Sequence, residues 1–244
     1  MKCALASLGF INGDIQHNKN VIIDTMILCA ADADIILLGE AFLQGFYGAT
    51  FDPTHDAHLA LSPDDTVIQD IRTAAKQLGV AVSFGFIEKD GPLFYSSQMT
   101  IASDGTVLDL YRRVSPGWKE HFAGEQYREG DGFHIFSLMG QSIAVALCGD
   151  LWYDENILAM NQLHPDILLW PVYTDFNFNE WNTSMKHEYA AQAGRVSSKV
   201  LYVNSVCKDK DGDEIARGGA ALFANGKIVQ EFPAGQEGIL IIET

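Results

Sequence analysis

Positive charge is scarce in this chain of 244 residues: 16 Lys and Arg stand against 32 Asp and Glu, giving a formal net charge of −16. A field of that sign repels phosphates and anionic headgroups, so neither nucleic acid nor a membrane surface is expected as a partner. Long apolar runs are also missing. No segment approaches the ~18 apolar residues that a membrane span requires. The start, "MKCALASLGFINGD", lacks the extended apolar core and cleavage pattern of a secretory signal. The cytoplasm is the expected location. Cys3, Cys29, Cys148 and Cys207 show no Cys-x-x-Cys spacing, so free thiols are expected in a reducing compartment. Three of them sit in apolar or helical surroundings as core filler; Cys148 is the exception. Linkers, repeats and low-complexity tracts are absent, so a single domain over residues 1–244 is expected.

What is present is a soluble, core-forming composition, 48% hydrophobic and 20% charged, in which strand and helix patterns alternate. "KCALASL" reads as a strand, "HNKNVIIDTMILCAADA" as an amphipathic helix and "DIILLGE" as a buried strand. "SPDDTVIQDIRTAAKQLG" reads as a helix capped by Ser62 and ended by Gly79, and "VAVSFGFIE" as the strand after it. The period then changes: "LFYSSQMTIASDGTVLDLYRR" is a hairpin turning at Asp104-Gly105. An irregular segment, 114–131, precedes a strand pair, a helix, the strand "DILLWPV", one long helix over "NEWNTSMKHEYAAQAGRVSS" and the strand "KVLYVNSV". Three closing strands turn at Asn225-Gly226. Helices alternating with apolar strands must pack outside sheet, and the hairpins add antiparallel strands, so the expected class is α/β with a mixed sheet or two sheets face to face.

Reactive side chains fall at three strand ends: Glu40 after "DIILLG", Arg112 and Arg113 after "LDLY", and Cys148 after "IAVAL". Carboxyl ends of strands are where ligands collect in open α/β sheets. A thiol, a carboxylate to take and return its proton, and a cation for the oxyanion are together what acyl transfer to sulfur needs. Gly149 suits a tight turn that aims its N–H at the same oxyanion. Other features have plainer readings. His55 and His58 in "PTHDAH" are residues of a solvated loop with no matching ligands, so no metal is expected. "EYAAQAGR" is a packing face, and "ARGGAAL" lacks the strand-to-helix context of a phosphate loop. Trp152 and Tyr173 follow strand ends and are candidates for lining a substrate pocket.

Glu40 in "LLGEAFLQGF", "LYRRVSPGW" and Cys148 in "ALCGDLWYDE" resemble, in order and spacing, the three signature regions of the nitrilase superfamily of carbon–nitrogen hydrolases. The likeness extends to "KCALASL", "AGEQYREGDG", "VLYVNSV" and "GGAALFANGKIV", nearly the whole chain. It implies a four-layer α-β-β-α sandwich of two mixed sheets, usually paired into a homodimer, with no cofactor and a small-molecule amide or N-carbamoyl substrate. It also implies Glu40 as general base, Cys148 as nucleophile and Glu125 as a second glutamate that orients the catalytic groups. One position departs: the family motif Tyr-Arg-Lys is Tyr111-Arg112-Arg113 here. Three consequences are open: Arg113 holds the oxyanion, Lys119 reaches in from the next loop, or activity is lost and the protein binds a metabolite or partner. The loops 42–61 and 114–131 are expected to set specificity. A catalytic Cys148 of lowered pKa is expected to be alkylated far faster at pH 6.5 than the other thiols.

Overall fold

The computed structural model describes residues 1–211 and 215–244. Period-two alternation generates its layers. Along β1 (Lys2–Ser7), Cys3 and Leu5 face one way and Ala4 and Ala6 the other, and all four are buried. A strand covered on both faces has to be sandwiched. One sheet joins β1 to β3 (Ile35–Leu37), β4 (Ala81–Asp90), β5 (Leu93–Ile101), β6 (Val107–Arg112) and β14 (Gly238–Glu243) in the order β14-β1-β3-β4-β5-β6. The other joins β7 (Ile135–Leu138), β8 (Gln141–Val145), β9 (Ile167–Val172), β10 (Lys199–Asn204), β12 (Ala220–Ala224) and β13 (Lys227–Phe232) in the order β13-β12-β10-β9-β8-β7. β2 (Gly9–Phe10) and β11 (Val206–Cys207) make a two-stranded ribbon.

In each sheet three strands run parallel, β1-β3-β4 and β8-β9-β10, and the flanking pairs are antiparallel. Leu5, Leu37, Val145, Leu169 and Leu201 fill the seam between the sheets. Outside the first sheet pack α1 (Ile15–Cys29) and α3 (Thr66–Leu78), through Ile22, Met26, Ile68 and Ile71. Outside the second pack α4 (Asp154–Leu163) and α6 (Lys186–Ala193), through Ile157, Met160, Tyr189 and Ala193. This is the four-layer α-β-β-α sandwich with two mixed sheets face to face.

Local expectations were met unevenly. Gly79 ends α3 at φ +68°, where glycine carries no Cβ penalty. Ser62 is not its cap: α3 begins at Thr66, and Ser62 instead exchanges bonds with Asp64 and Asp65 in a turn. "PTHDAH" is no loop but α2 (Pro53–Leu59), started by Pro53 and by the Asp52 carboxylate accepting the Thr54 N–H at 2.8 Å. The long helix is interrupted: α5 (Phe178–Glu180) passes through a π-turn, Trp181–Met185, into α6. The strand expected over "KVLYVNSV" is divided between β10 and β11. Among the described residues no helix is long and apolar enough to cross a membrane.

Leu169 is fully buried in the seam between the sheets, so Leu169→Ala is expected to lower unfolding stability by about 2–5 kcal/mol, measured by urea denaturation with an unchanged m-value.

Candidate active site

The candidate catalytic groups sit where the two sheets end side by side. Glu40 follows β3 by three residues, and its backbone N–H donates to Val172 O at the end of β9, 3.3 Å away. The next residue, Ala41, has φ +50°. Gly85 on β4 lies under this crossing: a Cβ there would stand 2.4 Å from Ala41 N and 2.6 Å from Gly39 O. Only glycine lets the neighbouring strand pass that close. Cys148 follows β8 and opens a 3₁₀ turn, Cys148–Trp152. Its own φ is +43°, a left-handed conformation that costs a non-glycine residue about 1–3 kcal/mol and persists where surrounding structure enforces it. Part of that enforcement is the Trp170 indole, whose N–H donates to Cys148 O at 2.9 Å.

Arg113, one residue beyond β6, closes the cluster. Its Nη1 donates to Glu40 Oε1 at 2.8 Å, and its Nε donates to Ser115 Oγ at 2.8 Å. Both ions are out of water, Glu40 at 0% and Arg113 at 3% exposure. The Ser96 hydroxyl donates to the same Glu40 oxygen at 3.0 Å, and Glu40 Oε2 is buried with no hydrogen-bond partner. Cys148 is half-buried, and its thiol donates to Tyr173 O at 3.4 Å. Burial and then the Glu40 charge push this thiol up to about 12, against the opposing pull of Arg113. Burial works against the Arg113 charge too, but Glu40, Cys148 and Asp150 outweigh it and raise its pKa. The guanidinium therefore stays cationic in a dry site.

The expectation of a low-pKa, rapidly alkylated Cys148 is corrected by this geometry. The resting sulfur is a thiol held beside a carboxylate, not a thiolate, and burial raises the other three cysteines as well.

Sequence reading missed Asp150. It is fully buried and accepts from Tyr111 OH at 2.6 Å, Ser115 N at 2.8 Å and Leu147 N at 2.8 Å. It thereby ties the Cys148 turn to the segment carrying Arg113. Burial raises its pKa, with Arg113 and these donors pulling the other way. The available signal was an acid placed between two residues bound for the interior, since a carboxylate there must find donors.

Gly149 is a glycine for a different reason from the one expected. Its φ lies outside the left-handed region, which Cys148 occupies instead. A Cβ on residue 149 would stand 2.6 Å from Arg113 Nη2 and 3.2 Å from Ser115 Oγ. The missing side chain makes room for the guanidinium.

Other candidates scatter. Lys119 does not substitute for the family lysine: its Nζ is taken by Glu129 Oε1 at 2.7 Å and Tyr127 O at 2.8 Å. Glu125 stands exposed at the tip of a turn closed by Tyr127 N to Gly124 O, beside Lys119 and Arg128. That turn sends Tyr127 inward and Glu125 to solvent, and no bond joins Glu125 to Glu40 or Cys148 among the described residues. Trp152 is 44% exposed on the rim, edge-on to Tyr189. Tyr173 is buried, with its ring stacked on Phe46. Among the described residues no group of three or more His, Cys, Asp or Glu is placed to hold a metal.

Replacing Gly149 with alanine is expected to push Nη2 aside and lower kcat on a primary amide by about 10²-fold, with the melting temperature nearly unchanged. An unaltered kcat would mean that the guanidinium position does not matter.

Comparison with known proteins places this geometry in a family. The carbon–nitrogen hydrolase model matches residues 13–244. An (R)-stereoselective amidase from Pseudomonas sp. is 26% identical over 237 residues, 97% of this chain and 82% of that enzyme. An N-carbamoylputrescine amidase from Solanum lycopersicum is 33% identical over 145 residues, 57% of this chain and 47% of that enzyme, so this match spans about half the relative's length. A structure of the Nesterenkonia sp. AN1 amidase, of the nitrilase superfamily, superposes with a TM-score of 0.82 at 19% identity, over 100% of this chain and 91% of that one. The structural likeness establishes the fold, and the family match over nearly the full length establishes membership. The chain belongs to the carbon–nitrogen hydrolase family and has amidases among its relatives.

Proposed function

We propose that the protein hydrolyses a small carboxamide or N-carbamoyl compound through a thioester on Cys148. The observation that carries this reading is the buried Glu40–Arg113 pair, 2.8 Å apart, whose two charges both act on the Cys148 sulfur. The unpartnered Glu40 Oε2 is the available base. It takes the thiol proton as sulfur attacks the carbonyl carbon, so a thiol of raised pKa becomes a nucleophile only when substrate is in place. The carbonyl oxygen becomes an oxyanion, held by Arg113 and the Gly149 N–H. Losing one such donor typically costs about 10²–10³ in rate. Glu40 then gives its proton to the departing nitrogen, and the carbon–nitrogen bond breaks to leave the thioester and ammonia or an amine. Water, deprotonated by Glu40, attacks the thioester. The acid leaves, and the proton returns to sulfur.

The Pseudomonas relative's name supports the amide class, and the Solanum relative's name supports the N-carbamoyl class. Arg113 in place of lysine is consistent with activity because its charge is kept and residue 149 is cleared for its greater width.

Cys148→Ala is expected to reduce amide hydrolysis by at least about 10³-fold, and acid-quenched wild-type turnover should show an acyl mass increment on the peptide carrying Cys148. Hydrolysis persisting in the alanine variant would overturn the mechanism.

A further inference from the structure

Beside the reactive cluster lies a hollow of about 380 Å³, walled by Phe46, Tyr47, Phe51, Gly117, Trp118 and Phe122. It adjoins the cluster on two sides. Gly117 backs onto Arg113, since a Cβ built there would stand 3.1 Å from Nη2. Phe46 is stacked on Tyr173, with ring centroids 4.2 Å apart, and the Tyr173 carbonyl receives the Cys148 thiol. Glu40, Arg113 and Cys148 do not themselves line the hollow; Gly117 and Phe46 are the residues shared between its wall and the surroundings of the cluster.

The wall is rigidly built. Phe51 has φ +62°, a conformation that bulky side chains avoid unless they are held there. Asp56 holds it. This carboxylate is fully buried, and it accepts Phe51 N at 2.9 Å, Thr50 N at 2.9 Å and Tyr127 OH at 2.7 Å. Burial works to raise the Asp56 pKa, but these donors and His55 outweigh it and lower it, so the anion is maintained. The Phe51 ring then meets Tyr127 at 5.2 Å, Trp118 at 6.1 Å and Phe122 at 6.4 Å between centroids.

Of the two charged residues lining the hollow, Lys119 is engaged by Glu129 and by Tyr127 O, and Glu120 points to solvent, its side chain 58% exposed. Neither an ammonium nor a carboxylate substituent finds a buried counter-ion there, whereas an uncharged ring finds apolar faces.

We infer that this hollow is the acyl-side specificity pocket, taking an uncharged aromatic or bulky alkyl substituent of a primary carboxamide, with Asp56 as the residue that positions its Phe51 wall. The inference rests on Cys148 being the nucleophile. A primary amide releases only ammonia, so the acyl substituent is the sole group large enough to occupy the space.

Calorimetric binding to the Cys148→Ser protein separates the two ideas because it needs no turnover. The ligands are 3-phenylpropanamide, propanamide and 4-aminobutanamide. The phenyl compound is expected to bind at least about tenfold more tightly than propanamide, and this ratio should collapse when Phe51→Ala or Asp56→Asn is added. Phe51→Leu, which keeps the backbone position and an apolar side chain, should retain part of the preference and guards against simple unfolding, checked by melting curves. Equal affinities, a preference surviving both substitutions, or tightest binding of 4-aminobutanamide would overturn the inference. The last result would mean that the rings hold a cation. If the phenyl preference holds in binding while the wild-type protein hydrolyses none of the three, the pocket stands and the catalytic reading falls.

Discussion

A carboxylate and a guanidinium, 2.8 Å apart and both excluded from water, lie between the ends of two sheets. Burying two ions costs several kcal/mol each, and their attraction offsets this only when the geometry is good and the remaining polar atoms are satisfied. The structure meets that condition in part: Ser96 donates to Glu40 Oε1, Ser115 accepts from Arg113 and Asp150 fixes Ser115 and the Cys148 turn, while Glu40 Oε2 is left without a partner. Removing either ion leaves the other uncompensated, a loss of about 3–5 kcal/mol in typical buried pairs. Because Glu40 follows β3 and Arg113 follows β6, the pair ties together two strand ends of one sheet, as much a clamp there as a chemical device.

The same pair also acts on the sulfur. Burial does most to raise the Cys148 thiol, Glu40 adds to it and Arg113 opposes both. A resting thiol is spared the oxidation and stray alkylation that a standing thiolate invites. In the proposed mechanism the cost is that attack must be coupled to proton transfer, which makes the placement of Glu40 Oε2 decisive. Cys148 also carries a strained φ of +43° where the chain leaves the sheet, a conformation held by the surrounding structure.

How much of this was legible in the sequence depended on the kind of signal. The strands covered on both faces were visible because apolar runs such as Ile143 to Leu147 need no partner to be recognised. Glu40, Arg113 and Cys148 were visible because they end such runs, and the structure brings all three together. Asp150 was not: its role depends on donors 35 and 39 residues away, Ser115 and Tyr111. Glu125 was misplaced for the converse reason, since a motif gives the residue type but a local turn decides which way it faces. Gly149 was singled out for backbone freedom, yet its requirement is the width of a side chain 36 residues earlier. The helix over Pro53–Leu59 was hidden by its polar composition, and what fixes the segment is the buried Asp56 anchor, a tertiary contact.

The central claim is that burial, together with the charge of Glu40, holds Cys148 in the thiol form beside an opposing Arg113. Ultraviolet titration of the thiolate, taken as a difference from Cys148→Ala, tests it directly. In the wild-type protein no Cys148 thiolate should form near neutral pH, since the thiol lies at about 12. In Glu40→Gln the raising charge is gone while Arg113 remains, so the titration should move to lower pH even as amide turnover is lost. A Cys148 thiolate already present near pH 7 in the wild type, or a titration that Glu40→Gln leaves unmoved, would contradict the account.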